Sequence, residues 1–229
     1  NRAAHFSIRN THTTLEVTAT ATIDTSARPD DLGPASQQAW EEVTVDATTP
    51  LDVLEFSLDS ALVSRSAELA DYAAPSFTPG RQVGAAVTEL CHRINRDFVF
   101  DPKATDVDTP LDEVMRTRRG VCQDFAHVMV GCLRSMGLAA RYVSGYLETT
   151  PPPGRPRLVG ADRTHAWVGL HLGHGVWIGL DPTNDQVAGR HYLTTAHGRD
   201  YSDIPPLKGV IFTDAETSTL SVSVDVVAR

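Results

Sequence analysis

Cys122, His165 and Asp181 are the residues whose types and surroundings suit covalent chemistry. Cys122 follows Arg118-Arg119-Gly120-Val121, a glycine turn that delivers it to the start of the apolar stretch VCQDFAHVMVGCLRSMGL, which ends at Gly137. Few breakers and a terminal glycine predict a helix. A side chain at a helix N-terminus meets unpaired backbone N–H groups and the positive end of the helix dipole, and both favour an anion. A free thiol has a pKa near 8.5, so about 3% is thiolate at neutral pH, and such a position lowers that value. The same N–H groups suit an oxyanion formed on an attacked carbonyl. Buried cysteines in apolar helices are also common and inert, so the helix alone does not decide.

His165 opens a strand in DRTHAWV, and Asp181 closes the next one in WIGLDPT. Gly173-His174-Gly175 between them marks a tight hairpin, which brings both residues to one end. There the aspartate can accept one imidazole N–H and fix the tautomer, leaving the other nitrogen to take the thiol proton. A structural histidine, or a turn-forming aspartate before Pro182, explains each residue taken singly. The hairpin linking two of the three makes a triad the better account.

These residues need elements to hold them. Residues 81–96 place Val83, Ala86, Val87, Leu90, Cys91 and Ile94 at helical spacing, an amphipathic helix with Cys91 in its core face. Shorter helices are expected at 65–74 and 111–119, and a weak alternation runs over 51–60. Strand patterns occur at 5–24, 141–147, 165–172, 176–180, 191–196, 208–213 and 219–227, with an edge element at 40–45. Residues 25–38 and the proline-rich 151–156 read as loops. Helices followed by antiparallel strands predict an α+β fold rather than alternating βαβ units.

The chain has 229 residues, enough for one sizeable core and an appendage. A formal charge of -9 argues against nucleic acid and anionic membrane as partners, and no apolar run approaches a bilayer span. Three cysteines make no disulfide framework, since Cys122 and Cys132 would stand roughly 15 Å apart on one helix. Their number fits a reducing compartment, hence the cytoplasm. The chain starts at Asn1 rather than methionine, which leaves room for a leader. No metal or cofactor is expected: there is no CxxC pair, the nine histidines are scattered, and DPKATDVDTP lacks the spacing of a calcium loop.

The runs GVCQDFAH (120–127), CLRSMGLAARYVSGYL (132–147), THAWVGL (164–170), DPTN (181–184) and GRDYSDIPPLKGV (198–210) resemble bacterial transglutaminase-like proteins. These belong to the papain-type cysteine acyl-transfer superfamily. The resemblance covers about residues 51–229 and implies a catalytic domain there, with a helix bearing the nucleophile packed on an antiparallel sheet. Residues 1–50 would then be part of a β-rich N-terminal region. By resemblance Cys122 is the nucleophile, His165 the general base and acid, and Asp181 the orienting group. The Cys122 backbone N–H would be one oxyanion donor. Relatives take a second donor from a polar-tipped side chain upstream, whereas Phe98-Val99-Phe100 offers none, so that donor stays unassigned.

Phe100, Gln123, Trp167, Asp200 and Tyr201 are the further cleft candidates. Arg199 and Asp200 are alternatively an ion pair. Asp124 and His127 share a helix face and read as structural hydrogen-bonding groups, and His171, His174, His191 and His197 as surface or turn residues. The expected activity is cleavage or exchange of a peptide or carboxamide bond through a thioester on Cys122. Hydrolysis is favoured, because water is always present and no amine site is legible. Transglutamination is the alternative, followed by a non-catalytic binding module of the same fold. A thiol redox protein would need Cys91 as its resolving cysteine. The oligomeric state is not legible.

Overall fold

The structure, a computed structural model, describes residues 1, 3–25, 31–148, 164–214, 217, 219 and 221–226. In chain order the elements are α1 (Leu51–Leu54), α2 (Ala67–Ala73), α3 (Val83–Asp97), β1 (Val99–Phe100), α4 (Leu111–Thr117), β2 (Arg119–Gly120) and α5 (Cys122–Ser135). Then come β3 (Ala140–Leu147), β4 (His165–His171), β5 (Trp177–Asp181), β6 (Gln186–Val187) and β7 (Tyr192–Gly198).

Every residue of α5 from Asp124 to Arg134 is buried. A helix apolar all round must be wrapped on all sides. Here α2, α3 and α4 pack against it, and β3 and β4 cover it from the sheet. Its end follows from Gly137, whose φ of 81° opens the left-handed region and lets Leu138 N–H reach the Leu133 carbonyl at 3.0 Å. The amphipathic α3 buries Val83, Ala86, Val87, Leu90, Cys91 and Ile94 as its spacing requires. Ser66 caps α2 through Leu69 N–H.

The sheet is antiparallel, in the order β6-β5-β4-β3-β7. Central β4 is buried along its whole length. The turn into β5 uses Gly173, His174 and Gly175, all with positive φ, and closes through Leu172 N–H on the Val176 carbonyl at 2.9 Å. Val168 pairs with Leu180, which sets Asp181 one diagonal step from His165. A register shift at Ser144/Gly145 bends β3 against β7.

Several expected strands are absent. Residues 5–24 show β-branched alternation but form no strand, and no β-rich N-terminal region is built from the described residues of 1–50. Trp40–Val43 is a 3-10 turn, with single bridges from Ala39 to Gln82 and from Thr44 to Leu138. Residues 51–60 are helical at their start rather than alternating, and the described parts of 208–213 and 219–227 carry no strand. Alternation supplies a face, but a strand also needs a neighbouring backbone to bond in register, and among the described residues these segments make single bridges at most. The loop expected at 151–156 lies outside the described residues. Residues 35–45 do pack on the main core: Val43 is buried within it, Trp40 meets the Phe77 ring at 5.5 Å, and Gln38 Nε2 donates to the Leu172 carbonyl.

Candidate active site

The turn before Cys122 is built by a short parallel contact and a carboxylate. Arg118 ends α4 in the left-handed conformation, and β2 then pairs with β1, Phe100 opposite Gly120. Val121 is the N-cap of α5, and Asp124 reaches back to accept its N–H at 2.7 Å. Thr105 donates to the same oxygen at 2.6 Å. Burial pushes the Asp124 pKa up against these two hydrogen bonds. A Cβ at residue 120 would lie 2.4 Å from Asp124 Oδ2, so only glycine lets the carboxylate close over the turn. Gly120→Ala is therefore expected to cost about 1–3 kcal/mol in urea unfolding, because the carboxylate must leave both donors or the turn must widen.

His165 and Asp181 form a pair sealed from solvent, Nε2 to Oδ2 at 2.7 Å. Asp181 also accepts Tyr192 Oη–H at 2.6 Å, Asn184 Nδ2–H at 2.7 Å, and the N–H groups of Thr183 at 2.9 Å and Asn184 at 3.2 Å. Burial alone would raise its pKa, yet the His165 charge and these hydrogen bonds hold it below the ordinary carboxylate value. Burial likewise opposes a charge on His165, but Asp181 and the nearby Cys122 thiol outweigh it and push the imidazole up to about 10. With Nε2 held by Asp181, Nδ1 is the nitrogen left over, and it has no partner within hydrogen-bond geometry. Cys122, half-buried at the head of α5, is the thiol beside it.

Trp167, 3% exposed, stacks behind His165 with ring centres 6.2 Å apart and meets Tyr192 edge-on at 5.2 Å. It backs the imidazole from within the core. Phe100 is 40% exposed beside the Gly120 turn, and Gln123 donates to the Val107 carbonyl at 2.8 Å. Asp200 is fully buried, and its carboxylate accepts Leu62 N–H at 2.7 Å together with the backbone and hydroxyl of Ser202. Arg199 pairs with Asp203 at 2.9 Å rather than with Asp200. The Tyr201 N–H donates to His127 Nε2 at 3.2 Å, so His127 holds the 199–203 loop to α5.

Some residues at or around the site carry little local signal in the sequence. Tyr192 and Asn184 clamp Asp181, and only the DPTN run hinted at the second. Arg134 donates to the carbonyls of Phe56, Ala140 and Arg199, tying three segments to α5. A charged residue in an apolar helix was its signal. Tyr142 has a buried ring packed on His127 at 5.0 Å and edge-on to Tyr201 at 6.3 Å. No described residue hydrogen-bonds its hydroxyl, which burial and then the nearby Cys122 keep protonated. His171 is 8% exposed, not a surface residue, because it lies in fully buried β4.

A helix-borne cysteine set against an antiparallel sheet that carries a buried His–Asp pair defines a mixed α+β fold of the papain-like, transglutaminase-like kind. The profile of the transglutaminase-like superfamily matches residues 69–182. An uncharacterized protein of Mycobacterium tuberculosis is 43% identical over 234 residues, spanning 99% of this chain and 74% of that protein. The chain belongs to the transglutaminase-like superfamily. The crystal structure of a candidate cysteine protease from Cytophaga hutchinsonii superposes with a TM-score of 0.59 at 27% identity, over 71% of this chain. The chain spans about half of that solved structure, 53%. A protein-glutamine gamma-glutamyltransferase of Pseudomonas aeruginosa is 35% identical over 106 residues, 44% of this chain and 16% of that enzyme.

Proposed function

We propose that the chain is a cysteine-dependent acyl-transfer enzyme that cleaves a peptide or carboxamide bond through a thioester on Cys122. The observation that carries this reading is the His165–Asp181 pair, sealed and five times hydrogen-bonded, with one imidazole nitrogen left for the Cys122 thiol. With its pKa raised to about 10, His165 carries a proton on Nδ1 before the attack, and Sγ adds to the carbonyl carbon as the C=O electron pair moves onto oxygen. The same nitrogen then passes that proton to the leaving amine as the C–N bond breaks. Water adds to the thioester, gives its proton to His165, and the acid leaves as Sγ is released. Asp181 stays ionised and holds the ring.

The Cys122 backbone N–H, unpaired at the first turn of α5, is one donor for the oxyanion. The Tyr142 hydroxyl is the second: it stays protonated, has no hydrogen-bond partner among the described residues and lies within electrostatic reach of Cys122. Tyr142→Phe keeps the ring contacts and removes the donor, so kcat is expected to fall about 10²-fold with KM nearly unchanged. Steady-state kinetics check this, and an unchanged kcat would remove Tyr142 from the mechanism. The three free cysteines suit the cytoplasm as the working compartment.

Intact-mass spectrometry after offering glutamine-containing peptides, with and without a primary amine, tests the activity. Cleavage or deamidation supports hydrolysis. Amine incorporation at the same carbonyl makes the enzyme a transglutaminase. If neither occurs and Cys122 alkylates no faster with iodoacetamide than free cysteine, the enzyme reading fails.

A further inference from the structure

Arg141 is a half-buried cation that this chemistry does not use. It stands on β3 opposite Gly169 of β4, with its guanidinium carbon 4.0 Å from the centre of the Trp177 ring. A Cβ at Gly169 would come within 2.9 Å of Arg141 Nε, so the glycine makes room for the side chain to lie flat. Buried Arg134 reaches three carbonyls, whereas Arg118 resembles Arg141: it lies over the Tyr72 and Phe98 rings with Nη1 buried and unpaired, but no second unpaired polar atom among the described residues is shown beside it. Arg141 hydrogen-bonds to no described residue, and its Nε is buried without a partner. Burial is the cause that lowers its pKa, to about 10, and no carboxylate raises it back. The head group is half-buried, so the cost falls on the buried Nε–H, which has no acceptor to replace the water it lost.

His171 adds a second unused donor. Its Nδ1 accepts the Gly173 N–H at 3.4 Å, so in the neutral ring Nε2 carries the proton, yet Nε2 is buried with no acceptor. The His171 ring lies 5.1 Å from Trp177, and Trp177 meets Phe56 edge-on at 5.5 Å. Burial and then Arg141 lower the pKa of both His171 and His197, which keeps both rings neutral at pH 7. His174 and the exposed Asp52 also face His171, and the Asn1 amino group faces His197. The locus therefore carries one firmly held positive charge on an aromatic floor. It sits at the end of β4 away from His165, roughly 20 Å along the strand.

We propose that Arg141, His171 and Trp177 form a carboxylate-binding subsite, separate from the Cys122 site. A guanidinium fork matches the two oxygens of a carboxylate, and a single charge on an aromatic floor suits a monoanion with carbon attached better than a phosphate dianion. The ligand is a free carboxylic acid or the carboxylate of a peptide partner.

The test is a titration of the whole chain followed by the Arg141 Nε–H and His171 resonances and by tryptophan fluorescence. The probes are acetate, acetyl-Gly-Gly-Asp-Gly-amide and its Asn counterpart, with phosphate at matched ionic strength. Saturable shifts with acetate or the Asp peptide, absent with the Asn peptide, are expected. Tighter binding of the peptide identifies a peptide-borne group, and equal binding identifies free acids. Arg141→Gln is expected to weaken binding at least tenfold, and Arg141→Lys, which keeps the charge but not the fork, several-fold. His171→Gln gives an independent loss should the Arg141 variants fold poorly. Unmoved Arg141 and His171 resonances, or equal shifts with phosphate or the Asn peptide, would overturn the proposal. Cys122→Ala protein should titrate as the wild type does, so the subsite stands or falls apart from the catalytic reading.

Discussion

Cys122→Ala is expected to lower kcat for the accepted amide or peptide by about 10⁴-fold or more, with the fold intact. The thioester needs Sγ, and no neighbouring side chain can take its place: Cys91 and Cys132 are both buried in the core. Alanine is the best helix former and removes one half-buried atom at the first position of α5, so unfolding should move by less than about 1 kcal/mol. The pairing of these two readouts matters. A large loss of turnover with an unchanged urea midpoint assigns the loss to chemistry. If turnover survived in the alanine variant, the thioester mechanism would be wrong, whatever the family membership.

Asp181→Asn should be nearly as severe, and it should also destabilise. All five hydrogen bonds at Asp181 are donated to it. An amide in its place turns one acceptor into an N–H₂ facing the His165, Tyr192 or Asn184 donors. The imidazole then loses the partner that fixes its tautomer, for which a fall in kcat of about 10³- to 10⁴-fold is expected. Breaking a buried pair from one side costs about 3–5 kcal/mol.

The pH dependence of that difference has a defined sign. The folded pKa of His165 is raised, so its pairing stabilises fully below the unfolded value and is lost as pH rises through about 10. The folded pKa of Asp181 is lowered, so its contribution is present above the ordinary carboxylate value and is lost as pH falls through the folded one. The stability gap between wild type and Asp181→Asn should therefore be widest between about pH 4 and 6.5 and narrow on both sides. Urea unfolding at a series of pH values measures it. A gap that stays flat with pH would mean that His165 and Asp181 are not ionised together.

Two helices and the hairpin were legible for the same reason. The apolar spacing of α3, the breaker-free run of α5 and the Gly-His-Gly turn are local patterns, and each specifies its own backbone without reference to distant chain. Cys122, His165 and Asp181 stood out because each lies at the end of such an element. Residues 5–24 carried an equally clear alternation and form no strand, since pairing is decided by what lies alongside. Asp200 is offered by the sequence as a cleft residue or as the partner of Arg199. It caps its own turn and holds Leu62, while Arg199 takes Asp203, because a polar motif states which groups need partners but not which partners they find.

By itself the sequence determined the α+β class, the helix that carries Cys122 and the strands that carry His165 and Asp181. Tertiary structure alone decided that Tyr192 and Asn184 close around Asp181, that the Tyr142 ring is buried against His127 and Tyr201, and that Arg134 binds three separate segments. It also left Arg141 without an acceptor on the Trp177 ring. Periodicity and turn chemistry act over a few residues, whereas the partner of a buried polar group is set by whichever distant segment packs against it.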